Sequence, residues 1–379
     1  MKKALFYIFV LVFLLILPIY SSASDVKNEI YDSIEEEIKD FENTLPDYVL
    51  NYFPNSTISD DLSLTLQNTL NEAKLMDYII EYLFVGLNKT LKVFNGILVL
   101  LLLSSIFEMF SHTTTSEAIH IAFSSCSSIC VMMYVFNICV SLASNVTAYT
   151  KILCNTMSSF APIMATMQIL SGNISTAAIS NGAIVLFISL TDVLLVACML
   201  PLVKICMVFS CVKSMGGIEF GGISRLIRTT FTSVTIFIMS VFMFILSLKN
   251  VISQGADTLT IKTARFAISS FVPIVGASIN DALRTVSASL GIIKSSCGAL
   301  AIILIALIML PIVIYLFLNK LSFGLLGGIS RILKCDKQGE ILDEASALCT
   351  HMLTIVCCTC ILFIFAVTIF IRTSSEVIV

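Results

Sequence analysis

An all-α, polytopic membrane helical bundle is the fold that this 379-residue chain predicts, and three observations predict it. Hydrophobic residues make up 57% of the chain and charged residues 12%, where soluble domains hold roughly 45–50% and about 25%. Six apolar stretches, at about 93–110, 118–142, 177–203, 229–248, 292–318 and 347–371, are long enough to cross roughly 30 Å of hydrocarbon. Three short blocks recur in the same order in the two halves, which points to an internal parallel repeat. The formal charge of -3 and the lack of a basic run leave no field for nucleic acid.

The first element reads as a leader. Lys2 and Lys3 precede an apolar run from Ala4 to Ile19, and Ser21-Ser22-Ala23-Ser24 supplies small residues for cutting after Ala23, so residues 1–23 read as a signal peptide. An uncleaved anchor is the alternative; the short run and Pro18 favour the leader. Residues 24–90 then turn acidic, with Glu35, Glu36, Glu37, Asp40, Asp60 and Asp61 among carboxylates that outnumber Lys27, Lys39, Lys74 and Lys89. Ile30, Ile34 and Ile38, and later Leu62, Leu66 and Leu70, recur at helical spacing, so a short helical extracytoplasmic segment is expected. Three successive glutamates fan around a helix and read as a solvated face, not a cation site.

Residues 91–142 hold the first transmembrane helix pair. Two weaker stretches follow, about 153–170 and 264–279, each with a central proline, Pro162 or Pro273; both are expected as re-entrant, broken segments. They open the two repeats, 153–248 and 264–371, with 372–379 left as a tail. Ser158-Ser159-Phe160-Ala161-Pro162-Ile163 returns as Ser269-Ser270-Phe271-Val272-Pro273-Ile274, and Met199-Leu200-Pro201-Leu202 as Met309-Leu310-Pro311-Ile312. Gly221-Gly222-Ile223-Ser224-Arg225 returns as Gly327-Gly328-Ile329-Ser330-Arg331. Each unit then reads as a broken segment, a helix ending at Met-Leu-Pro, a glycine-arginine loop and another helix. Six crossings from an outside start put both loops in the cytoplasm, with Lys204, Lys213, Arg228, Lys320, Lys334 and Lys337 around them. Lys89, Lys92, Lys249, Lys262, Arg265 and Arg284 fall on the other side and depart from that rule.

Few residues point to chemistry. Asp192 is the acidic residue well inside an expected span, and an intramembrane carboxylate faces a partner, a bundle interior or water; the structural alternative is a hydrogen bond. Asn137 and Glu108 suit helix bridging better than solute binding. Cys357-Cys358-Thr359-Cys360 lies on an apolar helix without a redox context and reads as packing. His112, His120 and His351 lack ligand spacing, and no phosphate-binding loop, nucleophile elbow or H-E-x-x-H is present, so neither enzyme activity, cofactor nor metal is expected. The glycine pairs beside Arg225 and Arg331 read as turning loops, candidate docking surfaces for a cytoplasmic partner.

The run Gly255-Ala256-Asp257-Thr258-Leu259-Thr260-Ile261-Lys262-Thr263-Ala264-Arg265-Phe266, leading into Phe271-Val272-Pro273-Ile274-Val275-Gly276, resembles the stage III sporulation protein AE family of endospore-forming bacteria. The resemblance runs from leader to last span and brings no catalytic residues with it. It implies an integral protein of the mother-cell membrane around the forespore, within a channel or secretion-like complex. The implied partners are the lipid bilayer, the other stage III sporulation A operon proteins including a separate ATPase, and the forespore stage II sporulation protein Q. The alternative is a self-sufficient secondary transporter or channel with a site between the repeats near Asp192.

Overall fold

In a computed structural model of the chain the described residues are 72–113, 117–171, 173–193, 198–214, 221–271 and 276–372, with Phe41, Thr44, Leu45, Pro46 and Val49 ahead of them. The leader, most of the acidic segment, Pro273 and the tail lie outside the described residues. Among the described residues the chain is all-helical: α1 Glu72–Thr113, α2 Glu117–Leu170, α3 Ile174–Thr191, α4 Cys198–Ser214, α5 Gly221–Phe271, α6 Gly276–Ile332 and α7 Asp336–Arg372. Six of these, all but α4, are long and apolar enough to cross a membrane.

Several helices are longer than the apolar stretches that seeded them. At 54, 51 and 57 residues, α2, α5 and α6 run for about 75–85 Å at the usual helical rise. The break expected at Pro162 is not there: α2 continues through it, with the ring on the exposed face. Pro311 likewise lies inside α6 and does not end it. Proline removes one N–H and frees the carbonyl four residues earlier. In α6 that carbonyl, on Leu307, accepts from the Tyr78 hydroxyl of α1 at 3.0 Å, so the helix continues at little cost. Pro201 likewise lies inside α4. The stretch 177–203, expected as one helix, is helical on both sides of residues 194–197, which lie outside the described residues.

α6 and α7 form the central hairpin. Leu304, Ile308, Leu316 and Phe323 from α6 share one buried cluster with Leu348, Met352, Val356 and Phe363 from α7, all almost fully buried and spaced to keep one helical face together. In lipid such a face is held by close packing more than by escape from water. A tight turn closes the hairpin: Cys335 N–H reaches the Ser330 carbonyl at 2.8 Å and Lys334 N–H the Arg331 carbonyl at 3.1 Å. That is a Schellman turn with Lys334 at φ 62 in the position glycine usually takes. Helices α1, α2, α4 and α5 pack around the hairpin, and α3 lies between α2 and α5.

α1 and α6 run parallel in a constant register. Tyr78 meets Leu307, Thr90 meets Asn319 and Ser105 meets Leu333, pairs separated by 229, 229 and 228 residues. The leucine-rich stretch from 93 therefore lies beside α6 from about 322 to its end, reaching the α6–α7 turn near Ser105, not beside the apolar 299–318 of α6. The two stretches form successive tiers along the bundle, their centres about 33 Å apart at 1.5 Å per residue.

Candidate functional site

Both Gly-Gly-Ile-Ser-Arg blocks come to one end of the bundle, though neither is a loop. The first opens α5 and the second closes α6. The expected loops are thus helix ends, and the reason differs between copies. A Cβ on Gly327 would stand 2.8 Å from Asp343 Oδ1, and one on Gly339 of α7 2.5 Å from Ser330 Oγ and 3.6 Å from the Gly327 carbonyl. Glycine lets α6 and α7 approach there, whereas Gly222 and Gly328 face open space.

A cavity of about 340 Å³ opens at this end, lined by Ser224, Arg225 and Arg228 of α5, Arg331 of α6, Lys213 of α4, and Glu340, Asp343 and Glu344 of α7. Ion pairing is nearly complete. Lys213 meets Glu340 at 3.1 Å, Arg331 pairs with Asp343, and Arg228 pairs with Glu344. The first two pairs are substantially exposed and contribute little, about 0–1 kcal/mol each. Arg228 and Glu344 are 14% and 17% exposed, and Ser224 Oγ donates to the same Glu344 oxygen at 2.6 Å. This pair holds α5 to α7. Arg225 is exposed and pairs with no carboxylate among the described residues. Nearby, burial and the charges of Glu108 and Asp336 push the Cys335 thiol up to about 11, so it stays protonated at neutral pH.

The other sequence candidates do not converge with it. Asp192 caps the end of α3 and is exposed on the bundle surface, and Asn137 is exposed on α2; neither lines this cavity. His351 is buried on α7, with Nδ1 hydrogen-bonded to the Thr232 hydroxyl and its ring edge-on to Phe231 at 5.7 Å.

A second polar centre escaped the sequence reading. Asp257 of α5, 4% exposed, accepts from Ser175 N–H at 3.1 Å, Thr176 N–H at 2.9 Å and the Thr176 hydroxyl at 2.7 Å. It caps α3 from another helix, because Asn173 at the cap position makes no side-chain capping bond. The available signal was a lone aspartate in a stretch whose other charges, Lys249, Lys262 and Arg265, are cationic.

An apolar helical bundle with an ion-paired crevice at one end belongs to the class of polytopic membrane proteins. The family model of stage III sporulation protein AE matches residues 57–374, so the chain belongs to that family, whose members are membrane components of sporulation. It is 24% identical over 180 residues to the stage III sporulation protein AE of Bacillus subtilis (strain 168), a match covering 45% of each chain. The chain thus aligns with under half the length of that relative. No solved structure matches.

Proposed function

We propose that this protein is an integral membrane component of the mother-cell-to-forespore channel or secretion-like complex, acting as platform or conduit, with its ion-paired crevice docking a cytoplasmic partner. The observation carrying the reading is the convergence of Lys213, Arg225, Arg228 and Arg331 on one water-accessible cavity at one end of the bundle. By the positive-inside rule that end faces the mother-cell cytoplasm. There the crevice offers Arg225, which pairs with no carboxylate among the described residues, and two weak, exchangeable ion pairs to a charged partner surface. The operon's separate ATPase is the partner of choice, and the acidic sequence ahead of α1 faces the space shared with the forespore protein Q. The transporter alternative has less support, since Asp192 lies on the outer surface rather than in an enclosed site.

The test is a charge reversal at the crevice. With Arg225→Glu and Arg331→Glu combined, co-purification of the ATPase with the full chain from sporulating cells should fall and spore yield with it. Unchanged assembly and sporulation, with the variant inserted at normal levels, would end the docking proposal.

A further inference from the structure

A second cavity, of about 200 Å³, opens between α1, α2 and α6. Its polar lining is Tyr82, Lys89, Asn145, Tyr149 and Tyr315, and its apolar wall includes Val85 and Ile312. The volume is below the roughly 300–1,000 Å³ that drug-sized ligands fill, so it suits a headgroup-sized occupant. Lys89 is exposed and finds no carboxylate among the described residues. Yet the same helix carries Phe84, Val85, Leu87 and Leu91 exposed around it, a surface made for acyl chains.

Depth supports the same occupant. The register of α1 on α6 brings Lys89 and Lys92 level with Asn319 and Lys320. This layer ends the apolar tier at 299–318, so with the crevice end in water it is the edge of hydrocarbon. Lysine and tyrosine collect at such edges, and basic pockets between membrane helices hold lipid phosphates.

We propose that this cavity binds the phosphate headgroup of an anionic phospholipid. Lys89 pairs with the phosphate, the Tyr149 and Tyr315 hydroxyls and the Asn145 amide supply hydrogen bonds, and the acyl chains lie along α1. The site stands independently of the docking crevice and of the protein's role in sporulation.

The experiment measures the thermal midpoint of the full chain in detergent micelles titrated with phosphatidylglycerol or phosphatidylcholine. Phosphatidylglycerol should stabilise at lower mole fraction, and Lys89→Gln should raise the half-saturating fraction about five-fold, as expected for about 1 kcal/mol per lysine. Tyr149→Phe, which removes only a hydroxyl, should give a smaller shift and serves if Lys89→Gln does not fold. Lys249→Gln, at an exposed lysine on α5, should leave the titration unchanged. Equal response to the two lipids, or equal loss in Lys249→Gln, would overturn the proposal. Stabilisation by inorganic phosphate alone, matching that of the lipid, would overturn it too.

Discussion

The hydroxyl of Tyr78 donates to the carbonyl of Leu307 at 3.0 Å, and that is the carbonyl that Pro311 leaves without its helical N–H. A donor from α1 thus satisfies a defect in α6 and fixes the register between the two helices. Tyr78→Phe should cost about 1–3 kcal/mol, the penalty of a buried carbonyl left unpaired. Adding Pro311→Ala restores the helical N–H, so the double variant should recover most of that loss. Thermal midpoints of the four proteins give the coupling, and additive effects would contradict the account.

Asp257 holds the start of α3 with three hydrogen bonds. Asp257→Ala should lose about 1–2 kcal/mol, as for removal of a helix cap, and Asp257→Asn somewhat less. Hydrogen exchange should rise at Ser175 and Thr176 before it rises in α7. Unchanged protection at those amides would mean the carboxylate does not cap the helix.

In the crevice the three ion pairs should differ in strength. A double-mutant cycle on Arg228 and Glu344 should give coupling of more than about 1 kcal/mol, because both groups are mostly buried and share Ser224. The cycle on Arg331 and Asp343 should give under about 1 kcal/mol, and added salt should erase it.

Glycines at the α6–α7 junction should respond in opposite senses. Gly339→Ala pushes a methyl against Ser330 Oγ, itself bonded to the Gly327 carbonyl at 2.8 Å, and should destabilise by about 1–3 kcal/mol. Gly328→Ala meets nothing within 4 Å and should stabilise the helix by about 0.5–1 kcal/mol. Chemical denaturation of both variants reads the two signs directly.

The helical class and the six apolar helices were legible because composition and span length are local properties of the chain. Proline was misread at Pro162 and Pro311 because its cost depends on who else can donate or on which face it lies, and neither is written in the neighbouring residues. The glycine-arginine blocks stood out in the sequence, but their helical conformation did not, since close approach to Asp343 and Gly339 becomes visible only after α6 and α7 pair. Asp257 reaches across 81 residues to Thr176, a distance no spacing rule covers. Lys294, fully buried with its ammonium 4.8 Å from the Phe370 ring centroid, carries no local mark either.

In the proposed arrangement both glycine-arginine blocks share one water-accessible face on the cytoplasmic side. Single cysteines at Arg225 and Arg331, in a cysteine-depleted chain expressed in the plasma membrane of vegetative cells, can be probed with an impermeant maleimide on whole cells and again after permeabilisation. Both should be silent in whole cells, and both should label once the membrane is opened. Labelling of either from outside, or different behaviour of the two, would contradict it.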